Sequence, residues 1–199
     1  MIADERTLGE STAPGYFERM YEDQADPWRF ETSDYEARKY AATLAALPQA
    51  RYRNALEIGC SIGILTAALA PRCNALLAID VADRALEQAR ARCRDWPQVA
   101  FRRMHLPAEY PAGSFDLVLL SEVGYYWSER DLTFARERII AGLAPGGHLL
   151  LVHWTEPSAD YPLTGDDVHQ KFLDRRGDLL HHLGGHHAAT YRLDLFARG

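Results

Sequence analysis

Short apolar runs alternate along this chain with stretches that carry helical spacing. Residues 55–58, 75–79, 99–103, 115–120 and 148–154 read as strands. The run at 115–120 is apolar almost throughout, as expected of a strand covered on both faces. Between the strands lie helical patterns at 64–70, which ends at Pro71, and at 83–94, 131–142 and 166–175. A Pro145-Gly146-Gly147 turn precedes the fifth strand, and residues 191–197 alternate apolar with Arg and Asp like a further strand. Ahead of the first strand, Tyr16, Phe17, Met20 and Tyr21 share one face of a helix over 15–24, which Pro27 ends. Thr32 or Ser33 can cap a second helix reaching about residue 47, with Glu36 as the capping-box partner of Ser33.

Strand–helix alternation of this kind predicts an α/β, Rossmann-like doubly wound sheet, mostly parallel. The pattern is that of one domain over 1–199. Residues 1–14 are expected to be flexible, 15–48 to form a helical lid and 54–199 to form the core. The segment 179–190 has no clear pattern.

Composition narrows the partners. The 199 residues hold 22 basic and 28 acidic side chains, a net charge of −6, which does not draw nucleic acid or anionic membrane. The three cysteines, Cys60, Cys73 and Cys93, show no C-x-x-C spacing, so no disulfide framework or zinc site is expected. No apolar run is long enough to span a bilayer, and the N-terminus lacks an apolar signal region. The expectation is a cytoplasmic protein acting on a small molecule, with a homodimer compatible.

The loop after the first strand carries the chemistry. It reads Glu57-Ile58-Gly59-Cys60-Ser61-Ile62-Gly63. A ligand crevice opens at such a strand-to-helix turn in a doubly wound sheet. Gly59 permits a sharp turn and close approach to a ligand, and Gly63 lets the next helix pack close. A dinucleotide site calls for G-x-G-x-x-G to seat a pyrophosphate. This loop lacks that spacing and places Glu57 beside it, which suits a phosphate-free ligand bearing an ammonium group. The alternative is an ordinary α/β turn. Asp80 closes the second apolar run, where a carboxylate can bind both ribose hydroxyls or cap the following helix.

Together, LEIGCSIGILT (56–66), LLAID (76–80), SFDLVLLSEVGYYW (114–127) and LAPGGHLLLV (143–152) resemble the class I methyltransferases. With DPWRFETSDYEARKY (26–40) ahead of them, the chain is similar to the nodulation protein S group. The resemblance implies a seven-stranded sheet with an antiparallel strand near the C-terminus and S-adenosylmethionine as methyl donor. It also implies a small acceptor, by analogy with the amine of a deacetylated chitooligosaccharide that nodulation protein S methylates. Carried onto this chain, the cofactor-binding positions are Tyr35, Glu57, Gly59, Cys60, Ser61, Gly63, Asp80, Val81, His105, Leu106, Ser121 and Glu122. Two positions depart from the pattern. Ser61 stands where many relatives have glycine, and His105 falls where many have an acidic residue for the adenine. Backbone and apolar contacts from Met104, His105 and Leu106 would then hold the base.

The acceptor side is expected at the ends of the fourth and fifth strands. Ser121 to Trp127 combines a carboxylate, two phenols and an indole, suited to a sulfonium or simply to covering the core. Glu122 and Tyr126 are the catalytic candidates there. His153 is a third, either as the base that takes the acceptor proton or as a histidine bonded to local backbone. Asp166 and His169 share a helix face and either cover the acceptor or pair at the surface. Tyr35 and Lys39 share a face of the N-terminal helix, which would close as a lid. The pairs His181-His182 and His186-His187 read as solvated, and no metal is expected. Methyl transfer to nitrogen or oxygen of a small acceptor is the leading reading. The rivals are a non-catalytic S-adenosylmethionine-binding module and a nicotinamide-dependent reductase.

Overall fold

The computed structural model describes residues 9–174 and 179–199. Seven strands form one sheet in the order β3-β2-β1-β4-β5-β7-β6. They are β1 Ala55–Ile58, β2 Leu76–Asp80, β3 Val99–Arg103, β4 Phe115–Ser121, β5 Leu143–Trp154, β6 Leu180–His187 and β7 Tyr191–Arg198. Strands β1 to β5 run parallel, while β7 is antiparallel to both β5 and β6. The order reverses at β1 and β4, where a doubly wound sheet opens its crevice beyond the strand ends.

The helices are α1 Pro14–Asp23, α2 Asp34–Ala45, α3 Ile64–Leu69, α4 Asp83–Arg92, α5 Glu129–Gly142 and α6 Gly165–Leu173. Leu56, Ile58, Val118, Leu120, Leu149 and Leu151 face one core with α5 and α6 residues such as Ile139 and Phe172. Leu117, Leu119, Leu150 and Val152 face a second core with Leu65 and Leu69 of α3. Period-two alternation thus loads both faces of the central strands.

Several expectations need correction. Strand β5 starts at Leu143, so the Pro-Gly-Gly turn lies inside it, at an irregularity in its pairing with β4. Ser33 does cap α2, accepting from Glu36 N, but the Glu36 carboxylate turns inward to Lys39 instead of completing the box. Gly63 makes its close approach to α4: a Cβ there would lie 2.9 Å from Ala89 Cα. Residues 11 and 12, within the stretch expected to be flexible, make hydrogen bonds to the segment after β4. Ser11 accepts from Ser128 N, and Thr12 N donates to Tyr126 O. Residues 1–8, and Arg175 at the end of the expected fourth core helix, lie outside the described residues. The unassigned segment contains β6, seven of whose eight residues are exposed. No helix among the described residues is long and apolar enough to cross a membrane.

Candidate active site

At the C-terminal ends of β1, β2 and β4 lies a cavity of about 390 Å³. One end is built by the glycine loop and its neighbours. Gly59 adopts φ +79°, and a Cβ there would sit 2.0 Å from the Val123 side chain, so only glycine fits. Ser61 also adopts a left-handed backbone, φ +50°, which is strained for a residue with a side chain. Two bonds hold it: its N–H donates to Asp80 Oδ2 at 2.8 Å, and its Oγ lies 2.5 Å from the Tyr21 phenol. Asp80 Oδ1 accepts from Ala82 N at 3.0 Å, which fixes the turn ahead of α4 while the carboxylate lines the cavity; no side chain caps α4. Burial pushes its pKa up against the pull of these N–H donors. Val81, Met104, His105 and Leu106 continue this wall.

The other end is aromatic and centres on Glu122. That residue leaves β4 with φ +58°, and its carboxylate accepts three hydrogen bonds. Oε1 accepts from Lys39 Nζ at 2.6 Å, and Oε2 from the Tyr125 hydroxyl at 2.7 Å and Trp154 N at 2.9 Å. Lys39, on α2 and only 2% exposed, also donates to Glu36 Oε1 at 2.9 Å and lies over the Tyr35 ring. Burial pulls the Lys39 pKa down, but the Glu122 and Glu36 carboxylates outweigh it and the amine ends above its ordinary value. Tyr161 stacks on Tyr125 with centroids 4.9 Å apart and meets Tyr126 edge-on at 4.7 Å. Burial raises the Tyr125 and Tyr126 phenols well above their usual range, so both stay protonated hydrogen-bond donors.

The cavity wall includes Tyr35, Gly59, Ser61, Asp80, Val81, His105, Leu106, Ser121, Glu122 and Tyr126 of the sequence candidates. Four others sit elsewhere. Gly63 packs on α4. Cys60 is buried below the loop. Glu57 is also below it, beside a separate cavity of about 30 Å³ with Tyr40. Burial pushes its carboxyl up to about 8, and its Oε2 has no protein partner.

The fourth is His153, and the correction there is chemical. It is fully buried, and its Nε2 accepts from Gly124 N at 3.1 Å, so the lone pair a base would need is already used. His169 neither covers the cavity nor lies at the surface. It is buried against Asp194, while Asp166 pairs with Arg192. Among the described residues no group of His, Cys, Asp and Glu could hold a metal ion.

The sequence placed Trp28 just ahead of the expected lid helix but did not point to Glu36, Phe30 or Tyr161 as wall residues. Conversion of Asp26 into an acceptor for Phe30 N and Glu31 N curls the 26–31 segment over the cavity. The aromatic run Trp28-Arg29-Phe30 was its visible trace.

The wall fits a nucleoside with an ammonium or sulfonium group. It offers the Asp80 carboxylate and many aromatic faces, and its single lysine is taken by two carboxylates. Among the described residues no arginine lines it to meet a phosphate.

Comparison with known proteins agrees. The nodulation protein S (NodS) family model matches residues 17–155. Nodulation protein S of Rhizobium tropici is 34% identical over 127 residues, 63% of this chain and 53% of that protein. The chain thus spans about half the length of that relative, and 61% and 59% of two further nodulation protein S relatives. The solved N-methyltransferase NodS of Bradyrhizobium japonicum WM9, in complex with S-adenosyl-L-homocysteine, is 25% identical. It superposes with a TM-score of 0.83 over 94% of this chain and 99% of that one. A Pseudomonas syringae structure described as a methyltransferase candidate is 41% identical, with a TM-score of 0.72 over 82% of this chain and 99% of that one.

A switch-point crevice with this loop, and a carboxylate one strand over, define a class I domain of the S-adenosylmethionine-dependent methyltransferase type. Within that class, the chain belongs to the nodulation protein S family.

Proposed function

We propose that this protein transfers a methyl group from S-adenosylmethionine to the amine nitrogen of a small acceptor, an amino sugar or a comparably compact amine. The observation that carries this reading is one continuous cavity. It joins the Asp80–glycine loop wall to an aromatic wall in which Glu122 is held by Lys39, Tyr125 and Trp154 N. The N-methyltransferase activity of the Bradyrhizobium japonicum relative supports it.

When bound, the donor supplies an electrophilic sulfonium methyl and leaves as a neutral thioether. This chain's residues bind, orient and dry the site. Asp80 offers its carboxylate to the sugar, and Met104 and Leu106 offer apolar contact to the base. Tyr125, Tyr126, Trp154 and Tyr161 exclude water on the acceptor side. Alignment of two reactants in this way is worth roughly 7–11 kcal/mol in favourable cases.

Glu122 is spoken for by three donors, and Tyr125 and Tyr126 keep their protons. His153 has no free lone pair. Glu36 keeps one unpartnered oxygen, Oε2, in this wall, but its carboxylate is held to the Lys39 ammonium through Oε1. Glu122, His153 and the two phenols are not free to take an acceptor proton. This favours an amine that arrives neutral and attacks with its own lone pair, over a hydroxyl that must first lose a proton. Its excess proton then passes to solvent after the new N–C bond has formed.

Cavity size supports a small acceptor. About 390 Å³ lies near the lower end of the ~300–1,000 Å³ typical of single-ligand sites. The donor alone takes up most of that volume, so an acceptor beside it must be compact.

The test is incubation with methyl-labelled donor and a panel of glucosamine, benzylamine, glucose and phenol. Label is expected in the amines alone. Label in glucose or phenol would replace nitrogen by oxygen. S-adenosylhomocysteine binding with no label in any acceptor would favour a binding module instead.

A further inference from the structure

We propose that His153, His169 and Asp194 form a positioning chain that fixes the turn Gly124–Tyr126, and with it the acceptor wall of the cavity. The chain runs through four elements. Gly124 N donates to His153 Nε2 at 3.1 Å, His153 Nδ1 lies 3.1 Å from His169 Nε2, and His169 Nδ1 lies 2.6 Å from Asp194 Oδ2.

These contacts admit one arrangement of protons. An amide N–H always donates, so His153 Nε2 is bare and its proton sits on Nδ1. That proton is donated to His169 Nε2, which leaves the His169 proton on Nδ1, aimed at the carboxylate. Reversing either ring would set two hydrogens or two lone pairs face to face. Asp194 is the anchor. Its Oδ2 also accepts from Arg192 Nε and its Oδ1 pairs with His182 Nε2, both at 2.7 Å. His153 and His169 are 0% exposed and Asp194 2%, so any unmade link leaves a buried polar group without a partner.

The far end of the chain is a turn with no slack. A Cβ on Gly124 would lie 2.6 Å from Val168 Cγ1 and 3.1 Å from His153 Nε2. The backbone therefore rests directly on α6 and the imidazole. The next two residues, Tyr125 and Tyr126, line the cavity, and Tyr125 meets the His153 ring edge-on at 5.6 Å. Because the chain ends on a backbone amide, it carries no proton into the site. It sets where the two phenols stand. Among the described residues no hydrogen bond joins the glycine loop or Asp80 to this chain; their contact is Gly59 against Val123, just before the turn, so the cofactor wall should change less than the acceptor wall.

Burial keeps both rings neutral. Burial lowers the His153 pKa well below its ordinary value, and His169 from α6 and Lys39 from α2 lower it further. Tyr125 faces it as an uncharged phenol. Burial also lowers His169, against the upward pull of Asp194 and with Arg192 adding to the fall, while Asp166 pulls upward from α6 itself. His182 reaches Asp194 from β6.

The kinetic part of this inference rests on the methyl-transfer reading; its structural part does not. The first measurement is nitrogen NMR of the wild-type imidazoles near pH 8. His153 should show a protonated Nδ1 and a bare Nε2, and the opposite tautomer would overturn the chain.

The second measurement uses His169→Leu and the gentler Asp194→Asn. Gly124 amide exchange should rise about tenfold or more, as expected for one weakened buried bond. Affinity for S-adenosylhomocysteine should change less than about threefold, while KM for glucosamine rises about tenfold at nearly constant kcat. His153→Gln, which can still accept from Gly124, should restore most of the protection that His153→Ala loses. Native Gly124 protection in a folded His169→Leu protein would overturn the proposal. So would an equal loss of protection at every core amide. If the wild type transfers nothing to glucosamine, the acceptor reading fails, and the exchange and NMR results still decide this one.

Discussion

Lys39 Nζ and Glu122 Oε1 lie 2.6 Å apart, and this contact joins helix α2 to the end of β4 across the cavity floor. The same ammonium holds Glu36, so one buried cation serves two carboxylates. Removing one partner of a buried ion pair commonly costs about 3–5 kcal/mol, because the remaining charge is left in a poor solvent. Lys39→Met should lower unfolding stability by an amount in that range, measured in urea. Adding Glu122→Gln should recover part of the loss. An unchanged midpoint in the single variant would mean that water reaches these carboxylates.

Asp80 is expected to govern cofactor affinity. Asp80→Asn keeps the shape and removes the charge from a group that both lines the cavity and accepts from Ser61 N. A hydrogen bond to a charged group is worth roughly 1.5–3 kcal/mol, so affinity for S-adenosylhomocysteine should fall about 10–100-fold by calorimetry. Wild-type affinity in this variant would remove Asp80 from the binding site.

Gly63→Ala tests the packing of the loop. The new methyl would press on the Ala89 backbone, at a residue whose φ is +79°. Overpacking of this kind costs about 1–3 kcal/mol, and the thermal midpoint should drop accordingly. A midpoint equal to wild type would show that α4 can yield at Ala89.

Stability should fall in mild acid. His153 and His169 have pKa values lowered in the folded protein, so below their ordinary value of 6.5 the unfolded chain binds protons that the folded chain refuses. Their contribution is complete above pH 6.5 and is lost progressively as pH falls below it. Urea midpoints for the wild type and His169→Leu should therefore converge between pH 7 and 5. Parallel curves would place the histidine titration elsewhere.

Glu57 works with the opposite sign. Its carboxyl is raised from 4.5 to about 8 by burial, so its contribution is complete below pH 4.5 and declines as pH rises towards 8. The stability of Glu57→Gln relative to wild type should climb across that window. A flat difference would indicate that a donor reaches its unpartnered oxygen.

How much of this was legible depended on how local each signal was. Strand β1 was read at its observed bounds because four buried residues stand between a turn and a glycine. The loop and Asp80 followed from spacing along the chain, and the wall at 105–106 from the family resemblance. Strand β6 was not readable. Leu-His-His-Leu-Gly-Gly-His-His buries only its first residue and is held by backbone pairing to β7, which leaves no side-chain alternation. Glu36 looked like a helix cap because its true partner, Lys39, gains its burial only when Glu122 arrives from 83 residues away. His153 looked like a base for a similar reason: the ring that fixes its tautomer sits on another element. Sequence periodicity reports which face a residue shows, and a lone pair's partner is settled by tertiary contact.

Ser61 puts a hydroxyl where glycine would leave a gap, and Tyr21 of helix α1 closes on it at 2.5 Å. Trp28 packs on the other side of that same Tyr21 ring and stacks in turn on Phe30. The N-terminal cover is therefore latched to the nucleoside loop through one phenol. A shift of α1 away from the loop would break that hydroxyl pair and carry the Trp28–Phe30 stack with it.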